Sequence, residues 1–496
     1  MAASGLVRWK GVRLWLWIDE GLSVGVASQP LDRLHEVLRG DGAPPLYYLV
    51  LKGWMAVFGR SEVALHTLSL VFALAMIPAA LWAGWSLFGR RAGWICAVLT
   101  ATNPLLTAFS FEARSYTLLA LLALLMVATF LHVFAFGRRR MLAGFVASTT
   151  LLLYTHNWGL YLVAGAVLAL APVALLRRDR RRLVIDAAVG FGAVGLLFLP
   201  WVPTLLDQTR HTGAPWSPVP DVGELIDAAG TVMGTVTAAG VVGLVAAFGF
   251  VRSPRPRARQ TAAIVAGALL VAAPLLLGWV VSQFEPNWAI RYFVAVTGAA
   301  LLVAAVGLAR AGWVGVAITA VIAVAWVGPI SAFQPEPRPR LDIRANVKEI
   351  ADRLRPRLRT GDLVISAHPE QVPVLHYYLP GRFRFATPMG PVPDEEVFDW
   401  RDVVERLRRS TPARDLVPLV DDLPVGRRVA LLQPVETIAV HNPEYVDLFV
   451  SRSEQWERAL RGDSRLRVVG RARSEDRAKR IRDPSLSALV FEKVTA

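Results

Sequence analysis

Apolar residues run along this chain in long stretches, separated by short segments rich in arginine. Ten stretches are long enough to cross a ~30 Å hydrocarbon layer. They lie at about 63–88, 92–110, 116–137, 141–157, 159–176, 183–205, 231–251, 260–282, 292–309 and 312–332. Arginines cluster at Arg90–Arg91, Arg138–Arg140, Arg177–Arg182, Arg252–Arg259 and Arg310, after every second stretch. The positive-inside rule assigns all of these to the cytoplasm. The other connections, 19–62, 111–115, 155–158, 206–230, 282–291 and everything after about Phe333, then face outside. Ten spans with 19–62 outside also put the N-terminus outside, so the pattern predicts a further helix ahead of Arg13.

Two regions break the pattern. Pro44–Gly59 is apolar and aromatic but too short to cross, and it reads as an interfacial helix with Tyr47, Tyr48 and Trp54 in the headgroup layer. After Phe333 a stiff Pro-rich linker, Gln334-Pro335-Glu336-Pro337-Arg338-Pro339, leads into a different composition. There, short β-rich runs (Leu363–Ser366, Arg428–Leu432, Leu466–Gly470, Ala488–Phe491) alternate with polar helical stretches (Asn346–Arg355, Trp400–Arg409). The expected fold class is an α-helical polytopic membrane protein, multi-pass in the plasma membrane, with a C-terminal soluble α/β domain. The division expected is a transmembrane domain over 1–334, including the loop 19–62, and an extracytoplasmic domain over 335–496.

Composition agrees: 54% of the 496 residues are hydrophobic and the mean hydropathy is +0.43. The net charge of +15 would suit nucleic acid, but the arginines sit between apolar stretches, so no nucleic-acid partner is expected. The lone Cys96 permits no intrachain disulfide. Acids are more telling. Of fourteen Asp and Glu before Gln334, all but Asp179 and Asp186 fall on the outer side of the map. Membrane anchoring does not require them there, and ionisable groups near a bilayer usually mark function.

Several constellations carry candidate chemistry. Asp19-Glu20 sits where a carboxylate near the membrane surface would take a proton from a hydroxyl; alternatively Asp19 N-caps a helix beginning at Glu20. Asp41 precedes Pro44-Pro45-Leu46-Tyr47-Tyr48 and would cap the interfacial helix, with the prolines in its first turn. Glu112 and Arg114 either pair at a helix end or contact a polar head group. Arg291 is either an interfacial anchor or a bidentate phosphate clamp. His156-Asn157 and Pro215-Trp216-Ser217-Pro218 read as structural, and His368, Glu370 and His376 as surface residues without metal spacing. No P-loop, dinucleotide fingerprint or HExxH is present, so an enzyme using ATP or a nucleotide sugar inside the cell is unsupported.

The order of these motifs is more specific than any one of them. Trp15-Leu16-Trp17-Ile18-Asp19-Glu20, Asp41-Gly42-Ala43-Pro44-Pro45 and Trp54 to Glu62 are followed by Phe88 to Gly93, Asn103-Pro104 and Ser110 to Tyr116. Over about residues 13–332 the series resembles the GT-C glycosyltransferases. The branch is that of the dolichyl-phosphate-mannose protein mannosyltransferases and bacterial aminoarabinose transferases, glycosyltransferase family 39-like. The resemblance implies an inverting transfer of a sugar, mannose or a pentose, from a polyprenyl-phosphate donor to a glycan, lipid or protein hydroxyl. Asp19 matches the family's general base, with Glu20 beside it. Ala43 stands where relatives carry a phosphate-contacting Lys or a His. Arg291 matches the Arg-Tyr that opens a late helix and takes the donor phosphate, with Arg114. Glu20, Asp41 and Glu112 would orient the acceptor or a divalent cation, and Tyr47 and His156 would line the substrate site; the sequence gives no evidence that a metal or other cofactor is required. The family's usual first transmembrane helix is missing, in line with the span count. A transporter or lipid flippase is the alternative, but it predicts buried mid-membrane charges and repeated halves that the sequence lacks. A membrane-anchored binding protein would not need ten helices as its anchor.

Overall fold

The computed structural model describes residues 10–327, 345–379, 381–434, 443–474 and 486–495. The expected upstream helix and the linker at 334–339 lie outside the described residues. The chain falls into two compact units. One comprises Met1–Arg13, Ala43–Thr204 and Val219–Pro339; the other comprises Leu14–Gly42, Leu205–Pro218 and Arg340–Ala496.

In the first unit every apolar stretch contains a helix. Glu62–Phe88 runs for 27 residues; Ser61 caps its start by accepting the Ala64 N–H, and Gly89 ends it at φ +99°. Length and apolarity give fewer crossings than the ten expected. Among the described residues six helices suffice alone, or eight if two bent pairs each count once. The first pair, Arg90–Thr102 and Pro104–Phe111, bends by 48° where Asn103 accepts the Leu106 N–H and restarts the helix before Pro104. The second, Val222–Val232 and Val236–Arg252, bends by 69° at Gly234, φ +82°, with Thr235 capping the new start. Leu142–Leu153 has 12 residues, about 18 Å of helix, too little to cross unaided. Trp313–Val327 is also short as far as it is described.

The second unit is built on a six-stranded mixed sheet. Its strands are β1 (Leu363–Ser366), β2 (Arg384–Thr387), β3 (Gly390–Pro391), β4 (Arg428–Pro434), β5 (Leu466–Arg473) and β6 (Leu486–Lys493), in the order β3-β2-β1-β4-β6-β5. β1 runs parallel to both β2 and β4, while β6 is antiparallel to β4 and β5. Four of the six strands coincide with the β-rich runs of the sequence. Ile365, Leu431, Phe491 and Trp456 are among the residues that fill its core.

The helices α1 (Ile18–Ser28) and α2 (Leu31–Asp41) complete this second unit. Pro30 separates them. α2 ends at Gly42, whose φ of +86° suits a left-handed cap. α1 is buried over the whole stretch from Glu20 to Ala27. It packs on α3 (Val372–Tyr378) and on the Pro369–Gln371 turn that follows β1. Leu22 enters a cluster with Phe398, Trp400, Tyr445 and Phe449.

Candidate functional site

In the membrane-helix unit three connections converge at one end of the bundle. They carry Arg114 and Tyr116, His156 and Trp158, and Trp288, Arg291 and Tyr292. The His156 ring lies 4.8 Å from Tyr292 and 6.2 Å from Tyr116, centroid to centroid. Each tyrosine carries an arginine: Arg114 is 5.7 Å from the Tyr116 ring and Arg291 is 5.8 Å from the Tyr292 ring. Two guanidiniums far apart in sequence thus flank one imidazole. Burial, then the charges of Arg114 and Arg291, push His156 down to about 3, so it is neutral at physiological pH. Its Nδ1 accepts the Trp158 N–H at 3.2 Å, which leaves the proton on Nε2.

Aromatic packing supports this cluster. Trp158 contacts Tyr161, Trp288, Tyr292 and Phe293 at 5.3–6.0 Å. Asn287 ties it together, accepting from Trp158 Nε1 through its carbonyl and donating to Tyr161 Oη. Glu112 is buried nearby in sequence, and its carbonyl accepts from Ser69 Oγ and the Arg114 N–H.

The acidic pair belongs to the other unit. Trp17, not Asp19, is the N-cap residue of α1. Glu20, fully buried, does the capping: its carboxylate accepts the Trp17 N–H at 3.1 Å. Asp19 lies in the first helical turn, half-buried, and its carbonyl accepts from Ser23 Oγ. The alternative that Asp19 caps the helix therefore does not hold, because the backbone enters the helix two residues earlier.

Asp41 closes α2 and does not start the interfacial helix, which runs over Leu46–Phe58 with Pro45 as its N-cap residue and both prolines ahead of its first turn. Tyr47 and Tyr48 were expected among headgroups, yet they are buried and pack edge to face at 5.9 Å. The exposed large apolar residues of that helix are Leu49, Val57 and Phe58 instead. His368 and Glu370, expected on the surface, are mostly enclosed: they bond at 2.7 Å, and His368 stacks on Phe449 at 4.4 Å. They follow β1 directly, where α1 and α4 (Glu444–Gly462) cover the sheet end. Among the described residues no three His, Cys, Asp or Glu side chains gather as metal ligands would.

Two crystal structures of ArnT from Cupriavidus metallidurans match the chain over 98% of its length and 96% of theirs. The apo form gives a TM-score of 0.56 at 15% identity, and the form bound to undecaprenyl phosphate 0.57 at 16%. The chain thus shares the fold of these ArnT structures. No protein-family model and no curated protein matches the sequence. Within this fold the motif residues divide between the units. Glu112, Arg114, His156, Arg291 and Tyr47 lie in the helical unit, and Asp19, Glu20 and Asp41 in the α/β unit. Sequence reading missed Trp158, Tyr161 and Asn287. Their only signal was an excess of aromatic residues flanking His156 and Arg291, which interfacial anchoring explains equally well.

Proposed function

We propose that this chain is a membrane glycosyltransferase that moves a sugar from a polyprenyl-phosphate donor to an acceptor hydroxyl on the outer face of the plasma membrane, with inversion. The observation that carries the reading is the gathering of Arg114 and Arg291 about the neutral His156. Two cations and an N–H donor at one end of an apolar helix bundle suit a lipid phosphate. The shared fold supports it, since one ArnT structure holds undecaprenyl phosphate. In the proposed step Asp19 removes the proton from the acceptor hydroxyl as its oxygen bonds to the anomeric carbon. The bond from that carbon to the phosphate oxygen breaks, and the lipid phosphate departs with the electron pair. Arg291 and Arg114 stabilise the charge it carries away. Glu20 holds the helix start that presents Asp19. Asp41 and Glu112 orient the acceptor or a divalent cation, and His156 donates from Nε2. Tyr47, enclosed as it is, contributes packing. The motif resemblance favours mannose or a pentose.

The test is transfer from radiolabelled polyprenyl-phosphate sugars in membranes carrying wild-type or Asp19→Asn protein. Loss of a positioned base should lower turnover by roughly 10²–10⁴. Near-normal transfer by Asp19→Asn would sink the proposed mechanism.

A further inference from the structure

An open α/β sheet normally offers a ligand crevice outside the carboxyl ends of its strands, where neighbouring strands send their connections opposite ways. Here that point lies between β1 and β4: the chain leaves β1 through α3 toward β2, and leaves β4 through α4 toward β5. α1 is packed against the turn and helix that follow β1, at this same end of the sheet.

The contacts are closer than ordinary packing. A Cβ on Gly21 would lie 2.5 Å from Val374 Cβ, and a Cβ on Gly25 only 1.6 Å from the Glu396 carbonyl oxygen. The two glycines are four residues apart, so they share one face of α1, and that face rests directly on C-terminal backbone. Just ahead of the helix the Leu16 N–H donates to Tyr378 Oη at 2.6 Å, in a buried bond between residues 362 apart. At the far end Gln29 Nε2 donates to Glu396 at 3.2 Å. α2 is held as well: Arg401 bonds Glu36 and Asp399, and the Trp400 N–H donates to the Gly40 carbonyl.

We propose that the C-terminal domain is the positioning element for the acidic pair, acting through Tyr378, Val374 and Glu396 to fix where α1 begins and so where Asp19 points. The idea rests on the catalytic reading of Asp19, but its primary test does not. In full-length protein with Cys96→Ala, a cysteine is placed at position 19 by Asp19→Cys and its labelling by a small impermeant thiol reagent is timed. Tyr378→Phe removes only the hydroxyl that holds Leu16, and should change the labelling rate roughly threefold to tenfold, the yield of one buried hydrogen bond. Gly25→Ala should change it more. Unchanged rates in both variants would overturn the proposal. Should Gly25→Ala fail to accumulate, Tyr378→Phe decides alone. In otherwise wild-type chains the same substitutions should lower kcat for transfer while leaving KM for the lipid donor within about twofold, because the phosphate contacts lie on the other unit. A labelling change with no sugar transfer, even in the wild type, would reject the enzymatic reading and leave the positioning role standing.

Discussion

Arg291 can be tested by shape at constant charge. Arg291→Lys keeps the cation but loses the planar fork, so donor kcat/KM should fall by roughly tenfold or more, whereas a mere interfacial anchor would tolerate Lys. Donor titration in membranes reads the difference, and Arg114→Lys should behave alike because both guanidiniums flank His156. His156 makes a prediction of opposite kind. Its folded pKa is pushed below that of the unfolded chain, so the unfolded state binds the extra proton first. Its contribution to stability is complete above about pH 6.5 and is lost as pH falls from there toward about 3. His156→Gln should therefore flatten the decline of thermal stability over that window, as melting curves at pH 7, 5.5 and 4.5 would show. Of these three residues, Arg114 and Arg291 were legible as alternatives between anchor and clamp. Their convergence on His156 was not, because three separate connections must meet before it exists.

Helix α1 shows how an element distributes roles within a dipeptide. Glu20 caps and Asp19 does not, so the pair should separate in a stability assay. Glu20→Ala should cost about 0.5–2 kcal/mol, Glu20→Gln much less since an amide oxygen still accepts the Trp17 N–H, and Asp19→Asn close to nothing. Equal losses at both positions would contradict the cap. The apolar helices were readable because each is a long uninterrupted stretch. Their bends were not: Asn103-Pro104 and Gly234 are ordinary residues in such a stretch until packing decides whether the helix continues through them.

Across the molecule, charge segregates by contact as well as by sequence. Arg177 donates to the Val133 and Phe134 carbonyls, Arg259 to the Phe136 carbonyl, and Arg139 pairs with Asp186, so separate arginine clusters meet. Aromatic connections meet elsewhere, around His156. The orientation expected from the arginines has a direct test. Cysteines at Ser451 and Glu285, both exposed, should react with an impermeant reagent on intact cells, while one at Arg139 should not. Cys96, buried, gives no background. Reaction at position 139 alone would invert the map.

The sequence by itself determined that the chain is a polytopic helical protein with a β-containing tail, because hydrophobic length and alternation are local properties of the chain. It also set out the ordered motifs whose resemblance agrees with the fold shared with ArnT. The tertiary structure alone decided that α1 and α2 share a unit with the tail, since that depends on two glycines meeting backbone far along the chain. It decided likewise that His368 and Glu370 are mostly enclosed and that Arg114 and Arg291 flank one imidazole. Contacts between residues hundreds of positions apart leave no periodic trace in a single sequence, for the side chains that make them are chosen by shape at the point of contact.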